Sequence, residues 1–336
     1  SKTCADRIPT EDATTTAKLL AAGAILMGKL STHEFAHGGP SFDLPWPPAR
    51  NPWKTDCFTG GSSSGSGAAV ASGMLPGAMG SDTGGSIRTP AGLCGLAGMK
   101  PTYGLVSRFG VLPNSFTFDT CGPMTWTVED AAIMLQVLAG HDPRDPASAD
   151  RPVPDYRAGL SEDIRGLRIG AVRHFWEEEL PANEETRQSM DAAVEVFRGW
   201  GAIVEDVRLE PMQIYTDVKL LIAESELFSI HSPTLRERPQ DYGFDFRGRA
   251  IPACLFTADD YVQAQKQRRK LVDAMRPVYE KYEVLIAPST YGPASRIDDH
   301  STVSFWKKPK ITTVFNVTAG PALSLCAGFS ESGLPL

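Results

Sequence analysis

The stretch "GGSSSGSGAAVASGMLPGAMGSDTGGSIRTP", from Gly60 to Pro90, constrains this chain more than any other. It holds seven serines and nine glycines, with one aspartate, one arginine and no lysine, histidine or glutamate. That composition suits a flexible linker. Yet "SGAAVASGM" in its middle predicts a helix over residues 66–74, small on every face and so packed tightly inside. "PGAMGSD" then predicts a strand over 76–82 that ends at the turn "TGGS". A spacer needs neither element, so the serines are expected to be held at fixed positions.

The rest of the chain alternates helices and strands. Residues 10–24 predict a helix capped by Thr10 or Asp12, followed by a short buried strand at 24–30 and a helical turn at 31–36. "TVEDAAIMLQVLAG" predicts a helix that Thr127 caps and Gly140 ends. Strands are expected at "GLRIGAV", "IVEDVRL" and "VLIAPS", and helices at "NEETRQSMDAAVEVFRGWGA", at about 212–234 and at about 257–282. The alternation indicates an α/β layer architecture. Lys266, Arg268, Arg269 and Lys270 suggest a solvated helix face, and no acidic or basic cluster points to a charged substrate.

Composition narrows the function classes. The 336 residues can bury a sizeable core. A net charge of −7 argues against nucleic acid or an anionic membrane as partner. No apolar run reaches the roughly 20 residues of a membrane helix. The six cysteines carry no C-x-x-C pair and are expected to be reduced thiols in a cytoplasmic protein. The histidines are equally dispersed, so neither a metal site nor a cofactor is expected.

Three kinds of chemistry can use glycine and serine at this density. A phosphate-cradling loop needs a lysine after the last glycine, and none follows here. A nucleophile elbow would fit Gly61-Ser62-Ser63-Ser64-Gly65 around Ser63, but "KTDCFTGG" precedes it where a hydrophobic strand is required. The third possibility takes the two ends of the stretch together. "GGSSSGSGAAVASG" followed by "GSDTGGSIRTPAGLCGLAGMKPTYGLVSRFG" closely resembles the amidase signature family of serine hydrolases. The likeness covers most of residues 10–141 and is densest at 60–104. "FNVTAGPALSLCAGFSESGLP" resembles a later family segment, and about 145–310 is similar only loosely.

The resemblance implies one α/β domain with a central mixed, twisted sheet covered by helices on both faces, and a variable, substrate-side region at 145–310. It implies Ser86 as the acyl-accepting nucleophile and Ser62 as a proton-relaying serine entered through a cis peptide bond. The backbone N–H groups of Thr83, Gly84 and Gly85 would form the oxyanion hole, because a tetrahedral intermediate needs converging donors and glycine lets the backbone approach. Ser63 and Asp82 would brace the loop, and Arg88 would anchor the segment after the nucleophile.

A serine hydroxyl needs a base. The family uses a buried neutral lysine whose pKa desolvation depresses. Neither Lys2 nor Lys29 matches its motif, so the base is expected upstream of Ser1, and the chain as it stands is expected to be incompetent. The substrate implied is a small amide, anilide, carbamate or urethane, hydrolysed by a stand-alone bacterial amidase, with homodimer formation an open expectation. Phe42, Trp46 and residues 112–120 are candidates for an apolar pocket. Two alternatives stay open: the glutamine-hydrolysing A subunit of a tRNA-dependent amidotransferase, and a non-catalytic binding protein on the same scaffold.

Overall fold

Small residues let the segment from Gly60 to Pro90 pack closely. The computed structural model describes residues 1–160, 163–299 and 302–336, with the side chains of 302–304 left aside. Helix α1 (Thr14–Ala21) is followed by α2 (Ser64–Ala71), strand β1 (Gly77–Asp82), α3 (Arg88–Cys94), β2 (Ala97–Lys100), β3 (Thr120–Thr125) and α4 (Val128–Leu138). β1 pairs antiparallel with β3, with Asp82 opposite Thr120 and Gly80 opposite Gly122. β2 pairs with the other edge of β3, and β7 (Ala322–Ser324) with β2, giving a four-stranded antiparallel sheet in the order β1-β3-β2-β7. α2 and α3 pack on this sheet through Val70, Ala78, Ile87, Ala91, Cys94, Leu96 and Met124. A Cβ on Gly98 would lie 2.4 Å from that of Ala91, so α3 sits as close to β2 as glycine permits.

The second sheet is parallel. β4 (Arg168–Ala171) lies between β5 (Ile203–Asp206) and β6 (Val284–Ile286), with Ile169 level with Val204 on one side and Val284 on the other. Between its strands run α5 (Glu184–Gly199), the long α6 (Met212–Glu237), α7 (Phe244–Ala250), α8 (Ala258–Ala274) and α9 (Arg276–Lys281). α10 (Thr302–Lys307) and α11 (Thr313–Val317) follow. The largest core, with Phe118, Trp176, Tyr215, Ile222, Leu271 and Val314, packs α6, α8 and α11 with elements of this sheet. The α/β class read from the sequence holds, with the strands divided between an antiparallel and a parallel sheet instead of one mixed sheet. Among the described residues no helix is long and apolar enough to cross a membrane.

Several expectations need correction. α1 begins at Thr14 behind Ala13, which makes no side-chain cap, so Thr10 and Asp12 lie outside it. Residues 24–30 form no strand, and Ile25, Leu26 and Met27 are exposed. Seven mostly apolar residues fit a buried strand by pattern, but among the described residues only Leu30 reaches the core, beside Val70, Ile87 and Met124. Arg268 leaves the expected solvated face: its Nε donates to the Val317 carbonyl at 3.1 Å and its guanidinium lies over Phe118. Thr127 does cap α4, accepting from the Asp130 N–H.

β2 ends in Lys100, which is 1% exposed. Its Nζ donates to the Pro101 carbonyl at 2.9 Å. Burial, helped by Arg88 and opposed by Asp82, brings its pKa down to about 7. An unfolded lysine titrates near 10.4. The unfolded state therefore binds more protons between those values, and stability should rise as pH climbs from 7 toward 10. Lys100→Met is expected to remove that rise, seen as urea midpoints at pH 7 and 9.5 that differ less than in the parent protein. Equal pH slopes in both would refute it.

Candidate active site

The turn between β1 and α3 presents Ser86, half-buried, in a cavity of about 340 Å³. Beneath it Asp82 is fully buried. Its carboxylate accepts from the Gly85 N–H (2.7 Å), the Ile87 N–H (3.2 Å), Arg88 Nε and Nη2 (both 3.0 Å) and Asn316 Nδ2 (2.8 Å). Burial alone would raise its pKa. The Arg88 charge and hydrogen bonds, with Lys100 and Asn316, outweigh burial and hold Asp82 far below the ordinary carboxylate range. Arg88, 3% exposed, also donates to the Thr312 carbonyl (2.8 Å) and to Asn316 Oδ1 (2.7 Å). Thr312 Oγ1 donates to the Gly84 carbonyl at 2.8 Å. The Ser86 loop is thus fastened from below by its own aspartate and from the side by α11 and the residue before it.

One assignment changes. The Gly85 N–H is taken by Asp82, so Gly85 is not a free oxyanion donor. Its role is spatial: φ is +128°, and a Cβ there would lie 2.4 Å from Thr312 Oγ1. Among the described residues the N–H groups of Thr83, Gly84 and Ser86 have no acceptor, which leaves these three as the donors a developing oxyanion could meet. Thr83 is fixed through its hydroxyl, which donates to Asp119 at 2.5 Å.

Ser62 and Ser63 open α2. The Gly61–Ser62 peptide is cis. The Ser62 carbonyl accepts from the His33 N–H at 2.9 Å, and its hydroxyl, in a residue 3% exposed, has no hydrogen-bond partner among the described residues. Gly61 lies so close to the His33 ring that a Cβ would come within 2.0 Å of it. Ser63 ties the two halves together: its N–H donates to the Ser86 carbonyl at 3.3 Å, and its hydroxyl exchanges hydrogen bonds with the backbone of Ser81. No described lysine is bonded to either serine. Lys2 and Lys29 are exposed, and Lys100 is committed to Pro101.

The cavity is not the apolar pocket expected. Phe42 and Trp46 are 59% and 54% exposed and lie outside its lining, and of residues 112–120 only Asn114 lines it. Sequence reasoning missed the residues that do: Lys219 from α6, Arg249 from α7, and Lys308 and Lys310 after α10. Lys219 and Arg249 stand singly on separate helices, and Lys308 and Lys310 fall in the short run "KKPK", which by itself reads as a solvated surface segment. Lys219 Nζ lies 3.2 Å from Glu224 Oε1, and Glu224 Oε2 lies 3.1 Å from His37 Nε2. Although burial opposes it, His37 and Lys219 bring the Glu224 pKa down to about 2. Arg249 pairs through Nε and Nη2 with Asp245, at 2.8 and 3.1 Å.

The Ser63 N–H to Ser86 carbonyl bond brings the two ends of the glycine–serine stretch together beside this cavity. The amidase family model matches residues 1–336, and the chain belongs to that family. It is 38% identical over 352 residues to the A subunit of the glutamyl-tRNA(Gln) amidotransferase of Methylococcus capsulatus, covering 97% of this chain and 72% of that one. The crystal structure of the corresponding Thermotoga maritima protein superposes with a TM-score of 0.87 at 32% identity, over 98% of this chain and 72% of that one. A chain of an inhibitor-bound vestigial protein complex, one described as revealing the evolutionary origins of an s-triazine catabolic enzyme, gives a TM-score of 0.90 at 32% identity, over 99% of this chain and 73% of that one.

Proposed function

We propose that the protein hydrolyses the C(=O)–N bond of a small amide through an acyl-enzyme on Ser86. Ser86 Oγ adds to the carbonyl carbon, and the oxyanion is met by the N–H groups of Thr83, Gly84 and Ser86. The Ser86 proton passes to Ser62, and a proton from that relay goes to the leaving nitrogen as the C–N bond breaks. The neutral lysine of the family is the group expected to drive the relay. Water then cleaves the ester, giving a carboxylic acid and free Ser86. The observation that carries this reading is the pairing of a half-buried Ser86 with a buried, unpartnered Ser62 hydroxyl across the Ser63 bridge.

The relatives' names favour an amidotransferase component of the A type, working with protein partners, over the stand-alone amidase that the resemblance implied. The cavity agrees: its cations are poorly suited to a neutral anilide or urethane. Incubating the full-length protein with a fluorophosphonate should add the reagent's mass to the peptide containing Ser86. No labelling there would return the chain to the non-catalytic reading. Ammonia release that grows when partner proteins are added supports the A-type reading, whereas full turnover of neutral anilides by the isolated protein would reverse it.

A further inference from the structure

The loop that leads into β3 fixes one of the backbone donors beside Ser86. Asp119, the residue before β3, accepts the Thr83 hydroxyl on Oδ1 at 2.5 Å. Its Oδ2 accepts the N–H groups of Asn114 and Ser115 at 2.8 and 2.9 Å, so one carboxylate ties Thr83 to residues 114–119. Among the described residues the Thr83 side chain has no other hydrogen bond, and its N–H is one of the three left for an oxyanion. Where this loop stands therefore decides where the Thr83 donor stands.

The loop is held in turn from α6. Glu226 is 7% exposed and its carboxylate accepts four hydrogen bonds. Three come from the loop: the Ser115 hydroxyl, the Thr117 N–H at 3.0 Å and the Thr117 hydroxyl at 2.5 Å. The fourth comes from the Tyr261 hydroxyl of α8 at 2.9 Å. On the other side Tyr103 Oη and Arg108 Nη1 donate to the Phe116 carbonyl, and Phe118 sits in the core. Apolar packing is non-directional, whereas hydrogen bonds to a carboxylate are short and directional. Glu226 is thus the charged group that sets the backbone of residues 115 and 117, next to the two N–H groups that Asp119 uses.

We propose that Glu226 is a positioning residue for the reaction at Ser86. It fixes residues 115 and 117, these fix Asp119, and Asp119 keeps the Thr83 N–H aimed at the oxyanion. The inference rests on the amide-hydrolase reading of Ser86 and extends its machinery to α6, in the region where the sequence shows least likeness to the family. Removing an oxyanion donor outright costs about 10²–10³ in rate, so a donor left loose should cost about tenfold.

Stopped-flow labelling of the full-length protein with a fluorophosphonate reads the effect, because the P=O oxygen of the reagent must enter the same set of donors. Glu226→Gln, which puts an amide N–H where an oxygen accepts, should slow labelling about tenfold. Ser115→Ala removes one donor of the four and should slow it about fivefold, with the fold retained and the melting temperature almost unchanged. Thr83→Val cuts the same chain at its far end and should slow labelling about tenfold as well. Glu226→Gln combined with Thr83→Val should then be within about twofold of the slower single variant, because both break one chain of contacts. A purely structural role for Glu226 predicts instead that the two losses multiply, to about 100-fold, and that result would overturn the proposal. So would labelling that neither Glu226→Gln nor Ser115→Ala slows. If Glu226→Gln does not fold, Ser115→Ala takes its place in the double variant and the same two outcomes decide. An unaltered protein that is not labelled at Ser86 would remove the amide-hydrolase reading and this inference with it, whereas labelling indifferent to Glu226 removes this inference alone.

Discussion

Ser86→Ala should lower kcat for amide hydrolysis by about 10⁴-fold or more, with the melting temperature almost unchanged. Loss of a catalytic serine in a triad-type hydrolase costs on this scale, since the remaining groups act only together with it. Ser86 is half-buried and its carbonyl, not its hydroxyl, receives the Ser63 N–H, so the packing survives the change. Ser62→Ala should fall nearly as far in kcat and also slow covalent labelling of Ser86, because the relay activates the nucleophile toward any electrophile. Stopped-flow labelling and steady-state kinetics together check the pair. Ser62→Ala retaining most of its rate would remove Ser62 from the relay and leave it a structural role in the turn before α2.

Arg88→Met should destabilise the protein by about 3–5 kcal/mol, the usual consequence of leaving a buried charge unpaired. Asp82 is fully buried, and Arg88 supplies two of its five hydrogen bonds as well as the bonds to Thr312 and Asn316. The double variant Asp82→Asn with Arg88→Met removes both charges and should recover part of the loss. Denaturant midpoints of the single and double variants measure this directly. A single variant that loses less than about 1 kcal/mol would mean the pair is solvated in solution. Both variants should also be slow to acylate, since Asp82 holds the Gly85 N–H and Arg88 holds the segment before α11.

The nucleophile region was legible in the sequence because its residue types have few other uses. Glycines at Gly61 and Gly85 answer to His33 and Thr312, and the serines and Asp82 to specific backbone groups. Such requirements leave a local pattern. The helix α4 was legible for a similar reason, its cap and acidic first turn lying within four residues. What stayed hidden depends on distant partners. Residues 24–30 have an apolar composition, yet Ile25, Leu26 and Met27 are exposed and only Leu30 meets the core. The Gly85 N–H could serve an oxyanion by sequence, and only the Asp82 carboxylate beneath it shows otherwise. Lys219, Arg249 and Lys310 lie on separate elements, each an ordinary surface residue by its neighbours, and form one charged wall only around Phe305.

The fastening of the Ser86 loop by Thr312 and Asn316 has a consequence for synthesis. Those contacts join residues 224 to 234 positions apart. A chain emerging from the ribosome exposes Ser62 and Ser86 before residues 312–316, when only the local bonds of Asp82 to Gly85, Ile87 and Arg88 can brace the loop. The strands and helices between them can form locally, while the catalytic geometry waits for α11 to clear the exit tunnel. Full bracing of Ser86 therefore waits until residues 312–316 have been made and have docked.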